Sequence, residues 1–276
     1  MNIKRASARS VALLSFVIVF FGLSCWELNS PLLAFGEGRT TAAPNKKTQE
    51  MNMLRRTIVT RQQRLSVAVA DNGEPMVKAD KYDANIVMKP GLPDMGDITG
   101  NDIYVRDTVA RMLARANEKL RAAGLNLIVA YGYRAPAVQE KYWRMSLARV
   151  RSEHPDWPKE QLDTAADAFA ADPAVAGHIT GGCVDVSVER GGEPLDMGVD
   201  VDDISAAADV IRTFSDRISA EQMSNRMVLY QVMTEVGFMP FFGEYWHFMY
   251  GDREWAYFSG RRGSLYDKID FRPASP

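Results

Sequence analysis

The segment from residue 178 to residue 192 constrains the fold of this chain more than any other. Residues 183–188 alternate as a strand does, with three valines on one face and Asp185 on the other. Glycine pairs at 181–182 and 191–192 bound this strand, and the first pair loosens the loop that holds His178. The valines therefore predict a core face, and the loop can fold back so that His178 and Asp185 meet.

Two further short motifs carry the residue types of a hydrolytic metal site. Glu244-Tyr245-Trp246-His247 lies in an aromatic-rich segment, and Arg134 follows an apolar run. Two imidazoles and one carboxylate can hold a zinc ion and leave its fourth position open for water. Glu244 is placed to take a proton from that water, and Arg134 to steady the oxyanion that follows. Because a strict strand would set Glu244 and His247 on opposite faces, we infer a bend between them.

Each motif by itself also has an ordinary structural explanation. A histidine near an aspartate is more often a hydrogen-bonded pair than a metal site, and Glu-x-x-His recurs by chance. Arg134 could equally form a surface salt bridge. The interpretation as a metal site depends on the joint occurrence of these motifs in one chain and on the scarcity of histidine. The chain has 3 histidines, and the remaining one, His154, lies in a polar stretch.

Taken together, the motifs resemble those of the D-alanyl-D-alanine dipeptidases of the VanX type, within the zinc D,D-peptidases. The resemblance covers roughly residues 85 to 255, with further matching segments at 195–198 and 225–226. The matching motif positions are Tyr133, Arg134, His178, Gly181, Asp185, Glu244, Trp246 and His247. The chain departs from the family pattern at Ala135, where proline is usual, at Ala176, where serine is usual, and at Cys183, where alanine is usual.

The resemblance implies a metal centre and a mechanism. It assigns His178, Asp185 and His247 as ligands of one Zn²⁺ per chain. It makes Glu244 the general base and acid, and it makes Arg134 the group that stabilises the tetrahedral intermediate.

The resemblance also implies where a substrate binds. Asp196 would contact the free amino group of the substrate, and Tyr133 would join it in substrate binding. From the residues alone, Asp196 is equally well explained as a turn residue before Gly198. The change to Ala176 puts a strict preference for D-Ala-D-Ala in doubt. Cys183 is interpreted as a small buried filler, with a zinc-competing thiolate as the alternative.

The predicted function is zinc-dependent hydrolysis of D-alanyl-D-alanine or a related small cell-wall dipeptide. A first alternative is a zinc D,D-carboxypeptidase that trims peptidoglycan stem peptides. A second is a zinc-containing cell-wall-binding module without turnover, against which the presence of Glu244 argues. The formal net charge of −2 and the scattered basic residues predict no nucleic-acid partner, and the pattern predicts no oligomeric state.

The predicted fold is α+β, with a small central antiparallel sheet flanked by helices, and the resemblance implies the Hedgehog/D,D-peptidase-like architecture. Periodicity predicts helices after Asp107, expected as an N-cap, and over 136–151, 158–171, 204–214 and 221–236. Strands are predicted at 125–130 and 183–188, and a weaker one at 65–70.

The amino terminus has the pattern of an export signal. Lys4, Arg5 and Arg9 precede an apolar run from Val11 to Leu23, and Cys25 stands where a bacterial lipoprotein would be cut and acylated. Residues 1–25 are therefore predicted to be a signal peptide, a lipoprotein signal or an anchor. Residues 26–80 form a linker and extension, with a tether at 36–50, and residues 81–276 the catalytic domain. This predicts export to the periplasm or cell envelope, with a lipid or membrane tether as one alternative.

Overall fold

The computed structural model describes residues 59–90, 93–167, 170–201, 203 and 206–274. The predicted signal at 1–25 and the predicted tether at 36–50 lie outside the described residues. Within the described part, no helix is both long enough and apolar enough to cross a membrane.

The helices and strands follow one another along the chain in a fixed order. They are α1 (Arg61–Leu65), β1 (Met76–Lys78), β2 (Val87–Met88), α2 (Gly96–Thr99), β3 (Tyr104–Arg106), α3 (Asp107–Arg121), β4 (Asn126–Tyr131), α4 (Pro136–Glu153), α5 (Lys159–Asp167), β5 (Cys183–Arg190), β6 (Glu193–Pro194), α6 (Ala208–Ile211), α7 (Ala220–Glu235), β7 (Met239–Pro240), β8 (His247–Met249) and α8 (Arg253–Phe258). Short 3₁₀ helices cover Pro93–Met95 and His178–Thr180.

The main sheet is mixed, with strand order β2-β4-β5-β8-β7 and with β6 paired to β5. Strands β4, β5, β8 and β7 pair antiparallel, as predicted. Strand β2 runs parallel to β4, so the prediction of a purely antiparallel sheet is wrong at this edge. A parallel pair requires a crossover connection, and the chain between β2 and β4 supplies one that includes α3. The mixed composition of helices and sheet agrees with the predicted α+β class.

The core forms where the helices cover one face of this sheet. Val184, Val186 and Val188 are fully buried in the main hydrophobic cluster, as the alternation in β5 predicts. Helix α3 contributes the apolar positions expected from its period, and α7 packs beside it. The other face of β5 carries Asp185, so burial of the valines determines which way this carboxylate points.

Three local predictions at helix and strand positions are wrong. Asp107 is the first residue of α3 and not its N-cap, and its carboxylate instead bonds Lys81, Tyr82 and Arg111. Residues 65–70 form no strand: α1 ends at Leu65, and the described pairing beyond it is one bridge from residue 68. Helix α5 covers less of the chain than predicted, since residues 170 and 171 are not helical.

Among the described residues of the predicted helix over 204–214, only the four residues of α6 are helical. Buried Arg226 explains this difference, because it donates to the carbonyls of Met197, Val210 and Arg212 from the neighbouring α7. A long-range donor therefore satisfies carbonyls that a longer helix would have bonded internally. Helices α4 and α5, by contrast, lie near their predicted places and form a hairpin between β4 and His178.

Candidate metal centre

Two adjacent antiparallel strands place Asp185 beside His247. Asp185 lies in β5 and His247 begins β8, and the two residues are direct cross-strand partners in the register. Opposite residues of an antiparallel pair have Cβ atoms about 4.5–5.5 Å apart, so their side chains meet on one face. The third residue, His178, opens the 3₁₀ helix that precedes β5. The loop that holds His178, just before Gly181 and Gly182, thus folds back towards Asp185, as these glycines predict.

The three side chains converge closely enough to share one ion. His247 Nδ1 lies 2.8 Å from Asp185 Oδ1, and His178 Nε2 lies 3.2 Å from Asp185 Oδ2. One ligand atom from each residue lies within 4.8 Å of the others. The two imidazole rings meet edge to face, with centroids 4.8 Å apart. Two imidazoles and a carboxylate are the donor set of catalytic zinc sites, so this cluster fits that ion.

A backbone carbonyl determines which nitrogen of His178 faces the cluster. His178 Nδ1 lies 2.7 Å from the carbonyl oxygen of Gly132, which can only accept a hydrogen bond. The proton of the neutral ring therefore belongs on Nδ1, and Nε2 keeps its lone pair towards Asp185. The Tyr131 ring meets the His178 ring edge to face at 5.4 Å and supports this orientation.

The electrostatics of the cluster favour an ionised aspartate. Burial by itself would raise the pKa of Asp185, but the two imidazoles outweigh burial and hold that pKa well below its usual range. Burial lowers the pKa of His178. Burial acts in the same direction on His247, yet its hydrogen bond to Asp185 raises its pKa to about 9. The ionised Asp185 thus attracts positive charge to the cluster. This charge can be carried by protons on the imidazoles or by a metal ion that replaces those protons.

Glu244 stands in the predicted bend. The backbone N–H of His247 points to the carbonyl of Glu244 at 3.4 Å, and residues 245 and 246 form a turn just before β8 begins. Burial raises the pKa of the Glu244 carboxyl, and the charge of Asp185 adds to this rise. Arg134, His247 and the Trp246 side chain oppose it. The bend expected from the sequence is therefore present, and Glu244 lies within electrostatic reach of two of the candidate ligands.

Arg134 follows β4 and is held by aromatic rings and an amide. Its guanidinium carbon lies 4.5 Å from the centroid of the Tyr131 ring and 5.3 Å from that of Tyr142. Arg134 Nη1 donates to Gln139 Oε1 at 2.9 Å, and the backbone N–H of Arg134 donates to the carbonyl of His178 at 3.1 Å. The positive charge of Arg134 lowers the pKa values of both His178 and Glu244, which places it at the same centre.

Tyr133 and Asp196 make other contacts. The hydroxyl of Tyr133 donates to the carbonyl of Ile269 at 2.8 Å and accepts the backbone N–H of Phe271 at 2.9 Å. Tyr133 is therefore buried against the C-terminal segment.

Asp196 is exposed, and both of its carboxylate oxygens are engaged. Oδ1 accepts the backbone N–H of Gly198 at 2.8 Å, and Oδ2 accepts from Gln222 at 3.0 Å. The hydrogen bond from Gln222 contributes most to lowering the pKa of Asp196. This is the geometry of the turn residue that the sequence offered as an alternative. The structure does not bring Asp196 or the Tyr133 hydroxyl into the cluster formed by His178, Asp185 and His247.

Cys183 is a buried packing residue on the face of β5 that carries Asp185. Its Sγ lies 3.5 Å from Asp252 Oδ2, and burial raises the pKa of the thiol well above its ordinary value. Because this side chain faces Asp252 within an apolar cluster, the small-filler interpretation fits the structure better.

The sequence interpretation missed two residues that support the centre. Tyr131 touches both His178 and Arg134, and Gln139 bonds Arg134 from the first turns of α4. Gln139 also donates to the carbonyl of Ala171 at 2.7 Å and is almost fully buried. The sequence places Gln139 shortly after Pro136, at the start of the predicted helix, but its burial and therefore its need for partners are seen only in the structure.

Comparison with known proteins identifies relatives. Residues 81–262 match the Peptidase_M15 family model, described as D-ala-D-ala dipeptidase. A D-alanyl-D-alanine dipeptidase of Synechocystis sp. is 32% identical over 103 residues, which make up 34% of this chain and 42% of the relative. The aligned part thus spans less than half of that relative.

Two solved structures are also similar. VanYB in complex with D-alanine-D-alanine is 16% identical, with a TM-score of 0.38 over 71% of this chain and 94% of that one. A mutant of the D,D-pentapeptidase VanY from the VanB-type resistance cassette, in complex with Zn(II), is 18% identical. Its TM-score is 0.36 over 71% of this chain and 95% of that one.

Proposed function

The chain belongs to the Peptidase_M15 family of D-Ala-D-Ala dipeptidases, and from this premise we propose that it is a zinc metallopeptidase. The proposed reaction is hydrolysis of the peptide bond in D-alanyl-D-alanine or a related small cell-wall dipeptide. The observation that carries the proposal is the convergence of His178, Asp185 and His247 within 4.8 Å, beside Glu244. We further propose one Zn²⁺ per chain.

Each group of the centre has a role in this reaction. His178, Asp185 and His247 would hold the zinc ion, which would supply a Lewis acid able to lower the pKa of water and to polarise a carbonyl. Glu244 takes the proton of the attacking water and passes it to the leaving amine. Arg134 opposes the negative charge that gathers on the carbonyl oxygen. The Gly132 carbonyl keeps His178 in the tautomer that presents Nε2.

A raised pKa suits Glu244 to both halves of its role. A carboxylate of ordinary acidity takes protons poorly near neutral pH, whereas one with a higher pKa takes and returns them more readily. Burial among protein groups is the main cause of the rise at Glu244, and it prepares this carboxyl to act as a base.

A D,D-carboxypeptidase acting on stem peptides is the second candidate. Ala176 keeps this candidate open, because it stands where the family usually has serine and puts a strict preference for D-Ala-D-Ala in doubt.

The proposal also covers location and domain organisation. The charged start, apolar run and Cys25 support a signal or lipoprotein anchor over residues 1–25, and therefore export to the periplasm or cell envelope. Residues 26–80 would then join this element to a catalytic domain over 81–276, and the last part of this stretch packs on that domain through α1 and β1. Small peptides of the cell wall are found in that compartment.

The decisive experiment measures D-alanine released by the purified, zinc-loaded protein. D-Ala-D-Ala and a stem pentapeptide are supplied in parallel, with L-Ala-L-Ala as a control in which released L-alanine is measured. Release from the dipeptide supports the dipeptidase, and release from the pentapeptide alone supports the carboxypeptidase. No release from either, despite full zinc occupancy, would refute both and favour a binding module.

A further inference from the structure

A segment that precedes the family match packs in one cluster with the strands that carry the metal centre. The match begins at residue 81, yet Val59 and Val67 are only 3% and 7% exposed. They pack in one cluster with Cys183 and Met249. Each of these two residues stands two positions from a candidate ligand on its own strand. The segment therefore reaches the strands that carry Asp185 and His247.

Two arginines of this segment hold the chain that leads to His178. Arg61 Nε donates to Asp172 Oδ2 at 2.7 Å, and Arg64 forms an ion pair with Asp167. Asp167 Oδ1 accepts the backbone N–H of Asp172 at 3.0 Å. The carbonyl of Asp172 in turn accepts two backbone N–H groups, at 2.8 and 2.9 Å, in the turn just before His178. The arginines thus bind Asp167 and Asp172, the two aspartates that fix the segment leading to His178.

The same segment is fixed on its other side to α8, the helix that follows β8. Gln63 Nε2 donates to the Tyr257 hydroxyl at 2.8 Å. Arg253 Nη1 donates to carbonyls of the segment, the shortest distance being 3.0 Å at residue 67. Arg64 Nη1 also lies 3.9 Å from Glu254 Oε2. The segment therefore connects the approach to the first candidate ligand with the helix that follows the last one.

We propose that residues 59–67 form a strap that positions His178 for metal binding, with Arg61 and Arg64 as its positioning residues. The proposal rests on the zinc centre proposed above. A ligand held in place before the ion arrives loses less conformational entropy on binding, which strengthens the binding. The Arg64 and Asp167 side chains are 9% and 11% exposed, so solvent and salt screen this ion pair weakly.

The test uses the full-length protein carrying Arg61→Gln, measured first without metal and then in a zinc titration. Backbone amides of residues 174–181 should exchange with deuterium faster than in the unchanged protein, while the core of β5 keeps its protection. The zinc dissociation constant should rise about tenfold, the size of effect typical of residues that orient ligands. Arg144→Gln is the matched control, since it removes an exposed arginine ion pair in α4, and it should change neither quantity.

A second pair of variants separates positioning from loss of the fold. Arg64→Lys, which keeps the charge, should bind zinc more tightly than Arg64→Gln. If Arg64→Gln does not fold, Arg61→Gln decides, because its side chain is 25% exposed. Unchanged exchange and zinc affinity in Arg61→Gln would overturn the strap, and so would exchange that rises equally throughout the protein. If the unchanged protein binds no zinc, the zinc centre is refuted, and amide exchange without metal still tests the strap.

Discussion

Two carboxylates of the centre have opposite pKa shifts. Burial raises the pKa of Glu244, whereas the imidazoles of His178 and His247 outweigh burial at Asp185 and lower its pKa. Carboxyl groups whose surroundings separate their pKa values in this way take different chemical roles. Asp185 stays an anion suited to hold a cation, and Glu244 is suited to exchange protons.

Replacement of Glu244 by glutamine separates metal binding from turnover. The amide keeps the shape of the side chain but cannot take a proton. We expect Glu244→Gln to bind one zinc per chain and to lose about 10²–10⁴-fold in kcat. Metal analysis and D-alanine release measure the two effects. His247→Ala is the comparison variant and should lose zinc as well. Turnover at the original rate in Glu244→Gln would remove Glu244 from the mechanism.

Gly177, the residue before His178, has no room for a side chain. A Cβ there would overlap Cys183 Sγ and lie 2.6 Å from Asp252 Oδ2, both buried. Gly177→Ala should therefore destabilise the fold by about 1–3 kcal/mol and weaken zinc binding, because the turn that bears His178 must shift.

Urea unfolding and zinc titration measure these effects of Gly177→Ala. The matched control is Gly96→Ala, where a Cβ would meet no atom within 4 Å. We expect this control to stay within about 0.5 kcal/mol of the unchanged protein. Equal stability of the two variants would show that the turn at Gly177 tolerates displacement.

Among the elements, α8 carries a buried acid whose ionisation opposes folding. Burial raises the pKa of Glu254 from its ordinary 4.5 to about 7, although Arg64 partly offsets this rise. The folded protein therefore holds this proton more tightly than the unfolded chain does. The resulting stability is fully present below pH 4.5 and is lost as the pH rises through about 7.

Glu254→Gln should abolish this pH dependence. Relative to the unchanged protein, the variant should gain on the order of 2–3 kcal/mol between pH 4.5 and pH 8.5. Urea unfolding at a series of pH values provides the measurement, made on protein without metal. Glu140→Gln, an exposed change in α4, should follow the unchanged protein at every pH. Parallel stability curves for Glu254→Gln and the unchanged protein would contradict the expected ionisation.

Elements with a strong period could be predicted from the sequence, and elements held by distant partners could not. The alternation in β5 and the period of α3 reflect burial of one face, and this burial is visible in the order of apolar and polar residues within each element. Strand β2 has only two residues and is defined by its pairing to β4, so no local sequence pattern predicts it. The predicted helix over 204–214 was wrong because Arg226, on another helix, bonds the carbonyls of that segment.

The candidate site was predicted only in part, because some of its residues stand in local motifs and others act through contacts between distant segments. His178, Asp185 and His247 stand in recognisable motifs, and the fold brings them together. The supporting roles of Tyr131 and Gln139 arise from contacts made in three dimensions. Single-sequence patterns give no measure of such contacts.

For the whole molecule, zinc binding and folding should be coupled. The three ligand candidates meet through the tertiary structure, so the unfolded chain offers no such centre. Free zinc at 100 times its dissociation constant should add about 2.7 kcal/mol to the free energy of unfolding. For a domain of this size, the melting temperature should rise by about 5–10 °C. Calorimetry with zinc and with a chelator measures the shift, which should vanish in His247→Ala. Identical melting temperatures in the unchanged protein would argue against a bound ion.

The spacing of the ligand candidates along the chain also determines when, during synthesis, the centre can form. Asp185 and His247 are 62 residues apart, and β8 follows β5 along the chain. A ribosome must therefore release His247 and the residues that precede it before this last imidazole can reach its partners. Until then, the nascent protein holds two of the three ligand candidates and an incomplete centre.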